Sequence, residues 1–244
     1  MRLFGLIGYP LGHSFSKKYF TEKFERERLP CAFENFPIKD IALLPGILKE
    51  HPSLEGLCVT IPYKQQVIPF LNELSPEVRE IGACNSIRIR RGILTGYNTD
   101  TIGFKQSLLS KLTPKHTRAL VLGTGGASRA VRFVLKELGI PYTLVSRRPG
   151  EDCISYASVN KEIISAHLLI INTTPLGTFP DIHDCPALPY EFIGPNHFLF
   201  DLIYNPEETS FLKKGAQQGA ITQNGHEMLI GQAEASWDLW NRES

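Results

Sequence analysis

Short apolar runs alternate along this chain with longer amphipathic segments. Six of the runs are rich in aliphatic and β-branched residues, have the length of strands and lead into turn residues. We predict strands at Leu3–Gly8, Gly56–Ile61, Ala119–Leu122, Tyr142–Ser146, Leu168–Asn172 and Phe198–Ile203. The segments between them have helical periodicity. Alternation of this kind predicts an α/β fold with mainly parallel sheets.

The clearest βαβ unit begins at Lys115. Its strand leads into a glycine turn. Apolar residues then recur at helical spacing, which predicts a helix, and Gly139 and Pro141 end that helix. Leu112–Lys115 precedes this unit and is the best candidate for a linker, so we expect two domains. The segment Pro180–Pro195 contains four prolines and scattered polar residues, which predict a surface loop.

Composition excludes several classes of protein. The 244 residues include 26 basic and 25 acidic side chains, a formal charge of +1, so there is no basic field to bind nucleic acid. The apolar run Leu168–Ile171 is far too short to span a bilayer, and Gly8 interrupts the N-terminal run before a secretory segment forms. We expect no membrane association.

The cysteines indicate a reducing compartment. Their number, five, is odd, and none forms a Cys-x-x-Cys pair, a pattern that fits neither a disulfide framework nor a zinc site. His183 and Cys185 are an isolated pair in a loop, whereas a zinc site normally needs more ligands. We therefore predict a cytoplasmic protein without a metal.

A glycine-rich turn is the strongest sign of a cofactor. Strand Ala119–Leu122 leads into Gly123-Thr124-Gly125-Gly126-Ala127-Ser128, where positions without side chains let the backbone approach a pyrophosphate at the start of the next helix. Ser128 stands where the dinucleotide fingerprint has a third Gly or Ala. A tight turn without any nucleotide is the alternative, and we favour dinucleotide binding.

The end of the next strand indicates which dinucleotide is bound. An acidic residue there would grip the ribose of NAD, but this strand ends in Ser146-Arg147-Arg148. Two guanidiniums suit the 2′-phosphate of NADP, because arginine presents planar paired donors to phosphate oxygens. The alternative is a solvated basic turn. Glu151 and Asp152 follow closely, so use of NAD or of both cofactors stays open.

A lysine and a carboxylate each follow a segment with the character of a strand. Lys64 ends the segment that begins at Thr60, and Asp100 ends Asn98-Thr99-Asp100. A carbonyl reduced by hydride needs a proton, which a lysine ammonium held by a carboxylate can donate. We expect Lys64 and Asp100 to converge as an acid/base pair. Sequence spacing proves no contact, and two solvated surface charges are the alternative.

Several polar side chains are candidates for substrate binding. Ser14 and Ser16 precede a helical pattern, where their hydroxyls can bind a carboxylate or simply cap the helix. The phenol of Tyr204 and the amide of Gln232 suit a polyhydroxylated ring. Met228 is a candidate to support a nicotinamide face. For these last three residues, the alternative is a role in packing alone.

Taken in order, these segments resemble the shikimate dehydrogenase family from Gly8 to Gln232. The resemblance is carried by His13-Ser14-Phe15-Ser16, Val59-Thr60-Ile61-Pro62-Tyr63-Lys64, Ala83-Cys84-Asn85-Ser86, Asn98-Thr99-Asp100, Gly125-Gly126-Ala127-Ser128-Arg129, Asn172-Thr173-Thr174 and Gly225-His226-Glu227-Met228-Leu229-Ile230-Gly231-Gln232.

The resemblance implies two domains around a cleft: an N-terminal α/β substrate domain, 1–112 plus 225–244, and a Rossmann-type doubly wound parallel sheet, 113–224. It implies reversible NADPH-dependent reduction of 3-dehydroshikimate to shikimate, in the biosynthesis of chorismate and aromatic amino acids, with Lys64 and Asp100 as the catalytic pair. The implied substrate-binding residues are Ser14, Ser16, Thr60, Asn85, Tyr204 and Gln232. The implied cofactor-binding residues are Gly123, Gly125, Gly126, Ala127, Ser128, Ser146, Arg147, Arg148, Thr173, Ile203, Gly225 and Met228.

The chain departs from the family pattern at several positions. Lys17 replaces a proline, Cys58 an asparagine and Thr101 a glycine, and Ser146-Arg147-Arg148 replaces the common Asn-Arg-Thr. Two alternatives therefore stay open: a quinate/shikimate dehydrogenase that uses NAD or both cofactors, and a catalytically silent dinucleotide-sensing protein on the same scaffold. The oligomeric state is expected to be a monomer or a homodimer.

Overall fold

The computed structural model describes residues 1–12 and 14–242, so His13 of the first motif lies outside the described residues. The helices are α1 (Phe15–Arg26), α2 (Leu44–Glu50), α3 (Pro76–Ile81), α4 (Thr99–Leu109), α5 (Gly126–Glu137), α6 (Lys161–Ala166), α7 (Ser210–Gln217) and α8 (His226–Asn241).

Within the described residues, the strands form two six-stranded sheets. The first contains β1 (Arg2–Gly8), β2 (Cys31–Pro37), β3 (Leu54–Val59), β4 (Glu73–Leu74), β5 (Ser86–Arg90) and β6 (Ile93–Tyr97). The second contains β7 (Ala119–Leu122), β8 (Tyr142–Ser146), β9 (Cys153–Ser155), β10 (Leu169–Asn172), β11 (Phe198–Asp201) and β12 (Ile221–Gln223).

The chain divides into two compact units, Met1–Asp100 with Gln232–Ser244, and Thr101–Gly231. The two boundaries fall inside α4 and α8. The bounds 1–112 with 225–244, and 113–224, remain the prediction for the functional domains.

The sheet of the first unit is mixed. Its strand order is β2-β1-β3-β5-β6-β4; β2, β1 and β3 are parallel, whereas β5 is antiparallel to both β3 and β6. Successive side chains of β1 point to opposite faces. Phe4 packs in a cluster with Phe20 of α1 and Trp240 of α8, and Ile7 packs in another with Leu44 of α2. Both faces of this sheet are therefore buried.

The sheet of the second unit is parallel throughout and has the order β12-β11-β10-β7-β8-β9. The chain winds outward from β7 in one direction and from β10 in the other. In such a sheet, ligands bind beyond the carboxyl ends of the strands where the winding reverses, here β7 and β10. This doubly wound arrangement confirms the α/β fold class.

The predicted strands all exist, with bounds shifted by up to two residues, but other strands were not predicted. In β5, Ile87 and Ile89 alternate with Arg88 and Arg90, a pattern typical of a half-buried strand. The prediction of a surface loop at Pro180–Pro195 is wrong in part. The segment has only a short 3-10 turn, but Leu188 and Ile193 are buried in the core of the second unit.

No helix among the described residues combines the length and the apolar character needed to cross a bilayer.

Candidate active site

Lys64 and Asp100 form an ion pair in the first unit. Lys64 lies in the turn after β3, and Asp100 is the second residue of α4. The Lys64 Nζ is 2.7 Å from the Asp100 Oδ2, and the two side chains are 35% and 22% exposed. The pair is thus partly shielded from water, yet its ammonium remains within reach of a ligand.

Buried polar groups hold both members of the pair. The Asn85 Nδ2 donates to the Asp100 Oδ1 at 2.9 Å, and the Thr99 amide donates to the Asn85 Oδ1 at 2.6 Å. The Cys84 amide donates to the Lys64 carbonyl at 2.7 Å. Asn85 is 4% exposed and Thr99 is fully buried. The carboxylate is therefore held on one side by an ammonium and on the other by a fixed amide.

The two predicted serines occupy different positions at α1. Ser14 is the N-cap, and its Oγ accepts from the Lys17 amide at 3.1 Å, as the capping alternative expected. Ser16 lies within the helix, and its side chain is near the Cys58 thiol. Burial raises the pKa of Cys58 to about 12, so this thiol stays protonated at neutral pH.

The remaining predicted substrate residues are divided between the units. Thr60 follows β3, and its amide donates to the Ile7 carbonyl at 3.0 Å. Gln232 belongs to the first unit and is 8% exposed. Tyr204 belongs to the second unit, follows β11 and is 45% exposed. The structure thus places Thr60, Gln232 and the ion pair in one unit and Tyr204 in the other.

The glycine turn after β7 requires glycine at its first position. Gly123 has φ +103°, and a Cβ there would lie 2.8 Å from the Thr173 Oγ1. That hydroxyl in turn donates to the Leu122 carbonyl at 2.7 Å. Nothing lies within 4 Å of a Cβ built on Gly125 or Gly126. The turn is therefore packed against β10 on one side and open on the other.

A pocket of about 270 Å³ lies at this turn. Its walls come from the ends of β7, β8 and β10 and from a short turn after β9. They are formed by Gly123, Thr124, Gly125, Ser146, Arg147, Tyr156, Thr173, Thr174, Pro175 and Leu176. Helix α5 starts beside the pocket with Gly125 as N-cap and no side-chain capping bond. Its first amides lack intrahelical partners, and such amides favour an anionic group.

Other residues predicted for the cofactor do not line this pocket. Ser128 is fully buried in α5, and the Arg148 amide donates to the Ser146 Oγ at 3.2 Å, so its backbone closes the turn. Ile203 is buried, and its carbonyl accepts from the Gly225 amide at 2.9 Å. Met228 packs against the core of the second unit. The structure thus gives Ser128 and Met228 packing contacts.

A buried carboxylate supports the loop that follows β10. Asp201 is fully buried and accepts from Asn172 Nδ2 at 3.0 Å, the Ile203 amide at 3.1 Å and Thr209 Oγ1 at 2.6 Å. The Asn172 Oδ1 accepts from the Thr174 amide at 3.0 Å. Burial raises the pKa of Asp201 to about 6, although these three hydrogen bonds oppose the shift.

The raised pKa of Asp201 predicts a pH-dependent stability. The folded state holds the proton up to about pH 6, whereas the unfolded carboxyl loses it near pH 4, so this contribution to stability is lost as pH rises through the folded pKa. Between pH 4.5 and 7.5 the free energy of unfolding of the wild type should fall by roughly 2 kcal/mol relative to Asp201→Asn. Urea unfolding of both proteins at the two pH values measures this. A constant difference between them would contradict it.

Comparison with known proteins identifies the family. A shikimate dehydrogenase (NADP(+)) of Halothermothrix orenii is 37% identical over 259 residues, which cover 97% of this chain and 89% of that protein. The corresponding protein of Desulforamulus reducens is 34% identical over 97% of this chain and 88% of its own length. This chain belongs to the shikimate dehydrogenase family.

The solved structures extend this shikimate dehydrogenase likeness to the whole fold. The shikimate 5-dehydrogenase of Thermus thermophilus, in complex with NADP(H) and shikimate, matches with a TM-score of 0.86 and 32% identity, covering 99% of this chain and 94% of that one. Shikimate dehydrogenase 1 of Peptoclostridium difficile matches with a TM-score of 0.83, 36% identity and coverage of 98% and 91%. The model of the shikimate dehydrogenase substrate binding domain matches residues 6–87.

Some residues of the pocket and of the surroundings of the ion pair were not predicted from the sequence. Thr174 had a signal, because it follows a strand directly in Asn172-Thr173-Thr174. Tyr156 lies in a 3-10 turn after the three-residue strand β9, where no periodic pattern marks it. The sequence marks Thr99 only by its position before Asp100. It does not mark Ser236, whose Oγ lies 3.0 Å from the Thr99 Oγ1, because a buried serine in a helix resembles any other small residue.

Proposed function

We propose that this chain catalyses the reversible NADPH-dependent reduction of 3-dehydroshikimate to shikimate, with Lys64 and Asp100 as the proton-transfer pair. The observation that carries the proposal is the 2.7 Å contact between the Lys64 ammonium and the Asp100 carboxylate in a chain of this family. The reaction also needs a bound dinucleotide as the hydride donor, and the pocket at the glycine turn of the second unit offers a place for it.

In the direction of reduction, Lys64 gives a proton to the carbonyl oxygen as negative charge develops there. Asp100 holds and orients the amine between turnovers, and Asn85 keeps the carboxylate facing the amine. In the reverse direction, the neutral amine accepts the hydroxyl proton. A proton donor in this position is expected to accelerate the reaction by about 10²- to 10⁴-fold.

The carboxylate of the substrate is assigned to Ser14 and Ser16. The Ser14 Oγ accepts from the Lys17 amide, which leaves its hydroxyl hydrogen to donate, so capping and substrate binding are compatible. Thr60, Asn85, Gln232 and Tyr204 are assigned to the ring and its hydroxyls. Because Asn85 Nδ2 carries two hydrogens and Asp100 takes one, the second is available to a ligand.

The residues of the pocket fit NADP. Gly123 lets the turn lie close against Thr173, the start of α5 offers amides, and Arg147 lines the pocket with a guanidinium suited to a 2′-phosphate. The cofactor supplies the hydride when it is bound. Gly125, Gly126, Ala127, Ser128, Ser146 and Thr173 are assigned to the phosphates and the adenosine, with Arg148 as a secondary basic group. Ile203, Gly225 and Met228 are assigned to the nicotinamide end.

Three further assignments belong to the same proposal. Residues 1–112 with 225–244 form the substrate domain, and residues 113–224 form the cofactor domain. The location is the cytoplasm, which is supported by five free cysteines. The protein acts as a monomer or a homodimer.

A single absorbance assay tests the function. Oxidation of NADPH at 340 nm is followed with 3-dehydroshikimate, and reduction of NADP or NAD is followed with shikimate or quinate. The expected result is turnover with the shikimate pair and a preference for NADP. Faster turnover of quinate with NAD would favour the quinate/shikimate alternative. Tight binding of NADPH without turnover of any substrate would favour the sensor.

Replacement of Arg147 by alanine tests the assignment of the 2′-phosphate. We expect the KM for NADPH to rise by about tenfold or more, because a hydrogen bond between charged groups contributes about 1.5–3 kcal/mol. The KM for NADH should change little. Arg148→Ala is the matched comparison, and its effect should be smaller because Arg148 does not line the pocket. Equal losses with NADPH and NADH would contradict the assignment.

A further inference from the structure

A chain of buried polar groups connects the ion pair to the last helix. The Asn85 Nδ2 donates to Asp100 at 2.9 Å, and the Thr99 Oγ1 donates to the Asn85 Oδ1 at 3.2 Å. The next link is the Ser236 Oγ, which lies 3.0 Å from the Thr99 Oγ1. Thr99 and Ser236 are both fully buried. The chain is therefore closed to solvent at its far end and terminates at the carboxylate.

The orientation of the Asn85 amide follows from its neighbours. Its Oδ1 accepts from the Thr99 amide at 2.6 Å, and a backbone N–H can only donate. The nitrogen of the side chain must then face Asp100, whose carboxylate can only accept when ionised. The Thr99 backbone amide thus decides which way Asn85 presents its side chain, and the Thr99 hydroxyl adds a second donor to the same oxygen.

The hydroxyls can be arranged so that every donor points toward the negative charge. The Ser236 hydroxyl has two acceptors within reach, the Gln232 carbonyl at 2.9 Å and the Thr99 Oγ1 at 3.0 Å. When Ser236 donates to Thr99, the only hydroxyl hydrogen of Thr99 is available to Asn85. Hydrogen bonds in such a chain polarise one another, so an ionised Asp100 favours this arrangement.

We propose that Ser236 is a positioning residue, which orients Thr99 and, through it, Asn85 and Asp100 for proton transfer by Lys64. The inference rests on the proposed function. Ser236 lies one helical turn after Gln232, which is assigned to the substrate ring, on the same face of α8. The turn of α8 that carries Gln232 is therefore connected by hydrogen bonds to Asn85 and Asp100, which hold the Lys64 ammonium.

Kinetics of two variants and their combination test the proposal. Ser236→Ala and Thr99→Val each remove one hydroxyl with little change of shape. For Ser236→Ala we expect kcat to fall by about 3- to 10-fold, the loss that corresponds to one buried neutral hydrogen bond, with less than about a twofold change in the KM for shikimate. Because Ser236 acts through Thr99, the double variant should have the kcat of Thr99→Val alone. Independent, multiplicative losses would overturn the proposal.

Ser75→Ala is the matched control. Ser75 is a buried serine of the same unit, and its hydroxyl has no hydrogen-bond partner among the residues that the structure describes. We expect its kcat to equal that of the wild type. Thermal unfolding of all variants shows whether each remains folded at the assay temperature.

Chemical labelling gives a readout that needs no turnover. The Lys64 amine is modified with a small acylating reagent, and its rate of labelling is measured by peptide mass spectrometry. With the chain intact, Asp100 holds the ammonium, so Lys64 should label several-fold faster in Ser236→Ala and Thr99→Val than in the wild type or Ser75→Ala. Unchanged labelling would overturn the positioning role. If the wild type fails to reduce 3-dehydroshikimate, the proposed function fails, and the labelling still decides the role of Ser236.

Discussion

Replacement of Lys64 by alanine is expected to lower kcat for 3-dehydroshikimate by roughly 10²- to 10⁴-fold, the range typical for loss of a general acid. The structure gives the reason, since the Nζ is held 2.7 Å from the Asp100 carboxylate and no other lysine is paired with that group among the residues that the structure describes. The dissociation constant for shikimate should change much less than kcat, because the carboxylate and the hydroxyls of the ring are assigned to other residues. Steady-state kinetics and equilibrium binding of shikimate separate the two effects.

Two further variants sharpen this test. Lys64→Arg keeps a positive charge, but a guanidinium does not release its proton near neutral pH, so its kcat should remain close to that of Lys64→Ala. Lys105→Ala breaks another lysine–carboxylate pair, 3.5 Å from Glu137, with side chains 38% and 44% exposed. Its kcat should equal that of the wild type. Turnover near the wild-type rate in Lys64→Ala would show that the proton comes from another group.

Replacement of Gly123 by alanine should weaken NADPH binding by roughly 10- to 100-fold. The added Cβ would lie 2.8 Å from the Thr173 Oγ1 and 3.0 Å from the Thr174 Cγ2, so the turn or the loop after β10 must move. Both segments line the pocket. The left-handed backbone also costs an L-residue about 1–2 kcal/mol, so stability falls as well. Fluorescence titration with NADPH and urea unfolding measure the two effects.

Gly139→Ala isolates the contribution of the backbone. Gly139 also has a positive φ, +65°, but a Cβ there meets nothing within 4 Å. The free energy of unfolding of this variant should fall by about as much as that of Gly123→Ala. Its affinity for NADPH should equal that of the wild type. If the two variants bound NADPH equally well, the close approach of the turn to Thr173 would not matter for the cofactor.

The periodic parts of the chain were predictable because the spacing of apolar residues is a local property of the sequence. Ala119–Leu122 and Tyr142–Ser146 have the predicted bounds. The first is a fully buried parallel strand and therefore a continuous apolar run, and the second is a short run with Leu144 and Val145 buried. The edge strand β9 has only three residues, all partly exposed, and it gave no such signal. Pro180–Pro195 looked like surface because its prolines exclude regular elements. Yet Leu188 and Ile193 complete the core, and proline content does not determine burial.

The types of residue at the site were also predictable, whereas their contacts were not. The glycine turn after a strand and the basic turn after the next strand predicted a pocket, and Gly123 and Arg147 both line it. Ser128 appeared in the same motif, but its side chain is buried away from solvent in α5. A motif indicates where the backbone turns. It does not indicate which side chains face the space that the turn creates.

The α/β alternation, the glycine turn and the family could all be derived from the order of the residues, because these depend on local periodicity and on residue types in order. The contacts of Lys64 with Asp100, 36 positions apart, and of Ser236 with Thr99, 137 positions apart, became known from the folded structure. Such contacts depend on the order of the strands in a sheet and on the packing of a helix against it. These are properties of the whole folded unit, since many distant apolar contacts together select one arrangement.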